Sequence, residues 1–202
     1  MGLLTRANAM LLRPARTWSD AAGEPAVAAD LMKGYVVPLA AIGPVCGVLG
    51  GLAFHGDSIF GVNIRPPVRT LLVTAASSYL MTLLGVVLAA LAVERLAPLF
   101  GGARDRGQAF KLVVYSGTAL WATGIFSLYP ALGWLMAMLG ALGSLYSLRL
   151  GLPKLMGIEE DRSLVAFALI FLVIALIAAA LSLLHSVVLE ALDAPLWVTV
   201  TV

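Results

Sequence analysis

The chain has 202 residues, 61% of them hydrophobic and only 12% charged, with a formal net charge of +2. A soluble domain carries roughly 25% charged residues, and one of this length could not hide so much apolar surface around a single core. A water-soluble globule is excluded, no strongly basic patch argues for nucleic acid, and the fold class that remains is an all-α polytopic membrane protein.

Residues 1–34 read as a cytoplasmic N-terminal segment that touches the membrane without crossing it. Leu3, Leu4, Ala7, Met10 and Leu11 recur at helical spacing, and Arg6 and Arg13 lie two turns apart, which predicts an amphipathic helix in the interface plane. Pro14 ends that stretch, and Trp18 follows as an interface anchor. The apolar part is too short for a secretory signal, and no small-residue cleavage site follows it.

Residues 35–184 then form a domain of five apolar stretches, at 35–54, 70–93, 112–128, 131–148 and 164–184. Each is about long enough to cross a hydrocarbon core of roughly 30 Å as a helix. None contains Asp, Glu, Lys, Arg or His. In lipid the backbone must satisfy its own hydrogen bonds, so each should be helical, and unbroken apolar runs exclude an outer-membrane barrel. The first break holds Gly56, Asp57, Gly61, Asn63, Pro66 and Pro67, and the second holds Pro98, Gly101 and Gly102. Tyr129-Pro130 is a tight turn between the third and fourth spans, since the residue before proline disfavours helix. The fourth break, 149–163, carries Pro153, Gly157 and Glu159-Glu160-Asp161, whose last two acids suit the N-terminal dipole of the fifth helix. Residues 185–202 are left as a C-terminal tail.

Eleven of the thirteen Lys and Arg residues fall before the first span, between the second and third, and between the fourth and fifth. Only Arg65 and Arg69 fall elsewhere. The positive-inside rule places the N-terminus in the cytoplasm and the tail on the extracytoplasmic side; in a bacterium that is a multi-pass inner-membrane protein. Arg104, Arg106, Lys154 and Arg162 on the basic loops are positioned to meet anionic lipid headgroups.

Small residues mark two candidate packing faces: Gly43, Gly47 and Gly51 in the first span, which Pro38 and Pro44 should bend, and Gly133, Ala137 and Ala141 in the fourth. Internal packing of the bundle is the preferred reading, with assembly against a second copy or another membrane protein as the alternative. The hydroxyls Thr74, Ser77, Ser78, Thr82, Ser116 and Thr118 suit bonds across helices or back to their own turn. On a shared face between the first three spans they would line a path for a small neutral solute. Cys46, the single cysteine, is read as a packing residue. His55 and His185 stand at span ends beside Asp57, Glu190 and Asp193, which is chemically compatible with a metal site, but their local spacing gives it no support. Ionisable groups of the kind proton coupling uses are missing from the spans, and no protease or nucleotide-binding motif is present. No catalytic residue, cofactor or metal is therefore expected, and the chain reads as a non-enzyme.

Three pieces carry a family resemblance. Leu12-Arg13-Pro14-Ala15-Arg16-Thr17-Trp18 is followed by Leu31-Met32-Lys33-Gly34-Tyr35-Val36-Val37-Pro38-Leu39 at the entry to the first span. Tyr146-Ser147-Leu148-Arg149-Leu150-Gly151-Leu152-Pro153-Lys154-Leu155-Met156-Gly157-Ile158 lies before the last span. With five spans and a cytoplasmic N-terminus, this resembles the Yip family of Rab-interacting membrane proteins, from about residue 10 to residue 184. The acidic, aromatic-rich stretch of eukaryotic members is missing, so the likeness is to a bacterial-type member. The resemblance implies an adaptor or scaffold in membrane organisation or trafficking; a channel or transporter component for a small neutral solute is the alternative.

Overall fold

A computed structural model describes residues 2–54, 58–59, 62–63 and 67–192. His55, most of the first inter-span loop and the tail from residue 193 onward lie outside them. Two short helices, α1 (Leu3–Leu12) and α2 (Pro14–Ala22), precede the spans. The first span runs through α3 (Ala28–Leu31), a π-turn at Met32–Val36, α4 (Val37–Ala40) and α5 (Ile42–Ala53). The wide π-turn and the break at Ala41 flank Pro38, as expected where proline removes a backbone donor. A two-residue antiparallel ladder pairs Ser58–Ile59 with Val62–Asn63.

The second span is α6 (Val68–Leu96), closed by a 3₁₀ turn at Ala97–Phe100, and Gly101 adopts φ 81°. The third is α7 (Arg106–Ser116), α8 (Thr118–Thr123) and a 3₁₀ turn at Gly124–Leu128. The fourth is α9 (Pro130–Met156), ending at Gly157 with φ 66°, and the fifth is α10 (Glu160–Ala191). All five spans are long and apolar enough to cross a membrane.

The helices outrun the apolar stretches that define them in the sequence. The third begins at Arg106 rather than 112 because the Asp105 side chain caps it, accepting from the Gln108 amide at 2.9 Å. That start places Lys111 inside the helix, where it is only 1% exposed. The fourth continues to Met156 through Pro153. At about 1.5 Å per residue it is some 40 Å long and projects beyond the hydrocarbon.

Burial is concentrated toward one end. Tyr35, Val36, Val93, Ala97, Leu112, Val114, Leu152, Met156, Ala166 and Ile170 pack together there, with Trp18 and Ala21 of α2 among them. α2 lies against α9, α10 runs along α6, and α5 meets the 3₁₀ turn that ends the third span. The fifth helix is the least buried of the five.

Candidate functional site

The three basic segments meet at that packed end. The Lys154 ammonium donates to the Ala15 carbonyl and the Ser19 hydroxyl, both at 2.7 Å, joining the fourth span to α2. The Ala103 amide donates to the Met156 carbonyl at 2.7 Å. A Cβ on Gly101 would lie 3.9 Å from an Arg162 guanidinium nitrogen. Segments that the charge count assigns to one side of the membrane therefore stand at one end of the bundle.

The N-terminal helices are part of this end. Trp18 is fully buried, and its indole N–H donates to the Ser147 hydroxyl at 3.2 Å. A Cβ on Gly151 would come within 2.7 Å of the Trp18 ring and 2.6 Å of Leu112 Cδ1, so only glycine leaves room for the indole. The expectation of Trp18 as an interface anchor is corrected: its ring is walled by protein on all sides.

Polar groups line the seam. Lys111 Nζ donates to the carbonyls of Ala21 and Glu24 at 2.8 and 2.5 Å, satisfying acceptors at the C-terminal end of α2, where a cation also suits the helix dipole. Arg6 is ion-paired with Glu24, and its guanidinium stands 5.5 Å from the Tyr115 ring centroid. Tyr115 packs against Trp18 and, edge-on, against Tyr35, with centroids 6.1 and 5.1 Å apart. The Tyr35 and Thr118 hydroxyls are 2.8 Å apart, and Thr118 also donates to the Tyr115 carbonyl at 2.7 Å.

α1 is the short N-terminal helix expected from the sequence, with a change at Arg6. Arg6, Ala7 and Met10 face the bundle, whereas Leu4 and Leu12 are 73% and 79% exposed. The arginine turns inward because Glu24 and the Tyr115 ring wait there, and the leucines are left for lipid.

The residues assigned to headgroups divide. Arg104, Arg106 and Arg162 are exposed, Arg104 lying 3.7 Å from Glu94. Lys154 is exposed too, but its ammonium is engaged by α2. Arg106 borders a cleft of about 210 Å³ between the first three spans, whose other walls include Ala28, Met32, Val87, Leu91 and Phe110. Apart from Arg106, the walls of this cleft are apolar.

The small-residue faces are resolved atom by atom. A Cβ on Gly47 would meet nothing within 4 Å, and Ala137 is exposed. A Cβ on Gly43 would lie 3.7 Å from the Gly124 Cα, one on Gly51 2.7 Å from Leu71 Cδ2, and one on Gly133 3.5 Å from the Ser127 Cα; Ala141 is half-buried. The tightest approaches occur elsewhere. A Cβ on Gly50 would sit 2.3 Å from the Leu128 carbonyl oxygen, and one on Gly140 2.1 Å from Thr123 Oγ1. The spacing of four at 43, 47 and 51 therefore does not mark a single face packed within this chain.

Of the hydroxyls, Ser77, Ser78 and Thr82 bond back to carbonyls of their own helix. Ser78, Thr82 and Ser116 border a second cavity of about 430 Å³ among the second to fifth spans, with His185 at its margin. Among the described residues no cluster of His, Cys, Asp and Glu could hold a metal; His55, half of the pair weighed from the sequence, lies outside them.

A five-span helical membrane protein, with its N-terminal helices locked into one basic end, is the class that this architecture defines. The chain belongs to the Yip1 domain family, whose model matches residues 8–182. No curated protein and no solved structure gives a match. The matched region contains Trp18, Tyr35, Lys111, Tyr115 and Gly151, so the pieces that carried the resemblance in the sequence are those joined at the seam.

Proposed function

We propose that this chain is a non-catalytic adaptor or scaffold in membrane organisation or trafficking, and that its basic end is the platform on which partners assemble. The observation that carries the reading is the docking of α1 and α2. A tethered segment would sweep through many positions, whereas Trp18, Lys111 and Lys154 hold this one in a single place. Around it Arg13, Arg16, Arg104, Arg106 and Arg162 stay exposed. They supply charge to anionic headgroups or to acidic surfaces of partner proteins.

On this reading the protein sits in a bacterial inner membrane with the basic end in the cytoplasm, following the positive-inside rule. A cysteine replacing Arg104, with Cys46→Ala as background, should react with an impermeant maleimide only after the inner membrane is opened; labelling in intact spheroplasts would reverse the orientation.

The decisive experiment is crosslinking and pull-down from native membranes with the intact chain and with Gly151→Val, which displaces the indole. Partners retained by the first and lost by the second support the platform. An unchanged partner set would sink it.

A further inference from the structure

The cavity among α6, α7, α8, α9 and α10 has no part in the adaptor reading. α10 packs along α6 and against α9, with at most glancing contact to α7 and α8. The space left between them is about 430 Å³, within the range of small-molecule sites. Val86, Leu120, Leu148, Ile174, Ile177 and Leu181 are among the apolar side chains of its wall. Ser78 and Thr82 also face it with their hydroxyls spent on the carbonyls of Ala75 and Ser78, and the buried Ser116 hydroxyl, without a partner among the described residues, is a polar point on a largely apolar wall.

We propose that this cavity holds one acyl chain of a bilayer phospholipid, with the lipid's ester region at His185. Three observations carry this. First, the cavity joins the lipid-facing surface: Ala178 and Ser182 line it yet remain exposed, and Leu176 and Leu183 beside them are 61% and 70% exposed.

Second, its length fits. The lining runs from Ser78 to Ala89 on α6 and from Ile174 to His185 on α10, about 16 Å at the helical rise of about 1.5 Å per residue. Half of a hydrocarbon core of about 30 Å, the depth of one leaflet, is about 15 Å. Third, the end toward the membrane surface carries His185, whose buried Nδ1 has no hydrogen-bond partner among the described residues. A buried polar atom left unpaired is costly, and an ester carbonyl accepts from an imidazole N–H at the depth where phospholipid esters lie. The occupied leaflet is the one away from the basic end.

The test uses the full chain in vesicles of phosphatidylethanolamine and phosphatidylglycerol, with a trace of phospholipid carrying a photoactivatable diazirine at the acyl-chain terminus. Labelling is expected to favour Val86, Leu148 and Ile174 over the lipid-facing Leu172 and Leu183. Ala178→Phe fills the mouth from an already exposed position, and should lower labelling of the first group about tenfold, equivalent to about 1.4 kcal/mol of binding, while Leu172 is unchanged. Equal labelling of both groups, or no effect of the substitution, would mean only the lipid that surrounds any membrane protein. A second lipid with the diazirine near its ester should mark His185 rather than Ile174; the opposite depth overturns the assignment.

Discussion

The indole of Trp18 occupies the volume that any side chain at residue 151 would need. A Cβ there would come within 2.7 Å of its Cε2 atom. This pair joins the first helices of the chain to the fourth span, and several expectations follow from it and from the groups around it.

Trp18→Ala should cost about 3–5 kcal/mol, the usual range for emptying a buried aromatic site. Gly151→Val should be comparably harmful through overpacking. Both should release α1 and α2, so the readouts are a lower Tm in detergent and faster tryptic cleavage after Arg16.

Lys111→Met keeps the side-chain length but strands the carbonyls of Ala21 and Glu24, so a loss of about 1–3 kcal/mol is expected. Arg95→Met, at the exposed end of α6, should change Tm little. Equal effects of the two substitutions would deny Lys111 its fastening role.

Removing Glu24 alone leaves Arg6 buried without its ion-pair partner. Because the Glu24 side chain is 39% exposed, the penalty should fall below the roughly 3 kcal/mol of a fully buried pair. Glu24→Gln should therefore lower Tm, and adding Arg6→Met should recover part of the loss. A double-mutant cycle with no coupling would contradict the pairing.

Gly50→Leu drives a side chain into the Leu128 carbonyl and should cost about 3 kcal/mol or abolish folding. Gly47→Leu has open space within the chain and should leave monomer stability unchanged. If it nonetheless shifts the oligomeric state in detergent, the open face is an assembly surface; size-exclusion chromatography with light scattering reads both outcomes.

Replacing Arg104, Arg106 and Arg162 together by Gln should weaken the preference for phosphatidylglycerol, by about 1 kcal/mol for each charge at the surface, with little change in Tm. Lys154→Gln should do the reverse, since its ammonium is committed to α2. Spin-labelled lipid restriction and thermal unfolding separate the two.

Membrane insertion, the number of spans and the grouping of basic segments are all legible from the chain alone. The solvent dictates them: apolar runs of that length have no other place to go, and lysine and arginine mark the ends of the runs. The seam was half legible. Its pieces, Pro14–Trp18, Tyr35 and Gly151–Lys154, stand out as motifs, yet nothing in their spacing says that they touch.

Helix faces were the least legible feature. In water, polarity separates the outward face of a helix from the inward one, but in lipid both are apolar. The period of Gly43, Gly47 and Gly51 therefore could not reveal that Gly47 is open while Gly50 is pressed against the third span. Arg6 misled for a related reason, because its inward turn depends on Glu24 and Tyr115, which are remote in sequence.

The sequence by itself determined the environment of this protein and the order of its five helices, because hydrophobicity acts locally and each run carries its own requirement for lipid. Only the tertiary structure decided that the N-terminal helices are fastened into the basic end, and that α10 stands away from the third span to leave a cavity of about 430 Å³. Both depend on helix rotation and tilt, which distant side chains set together.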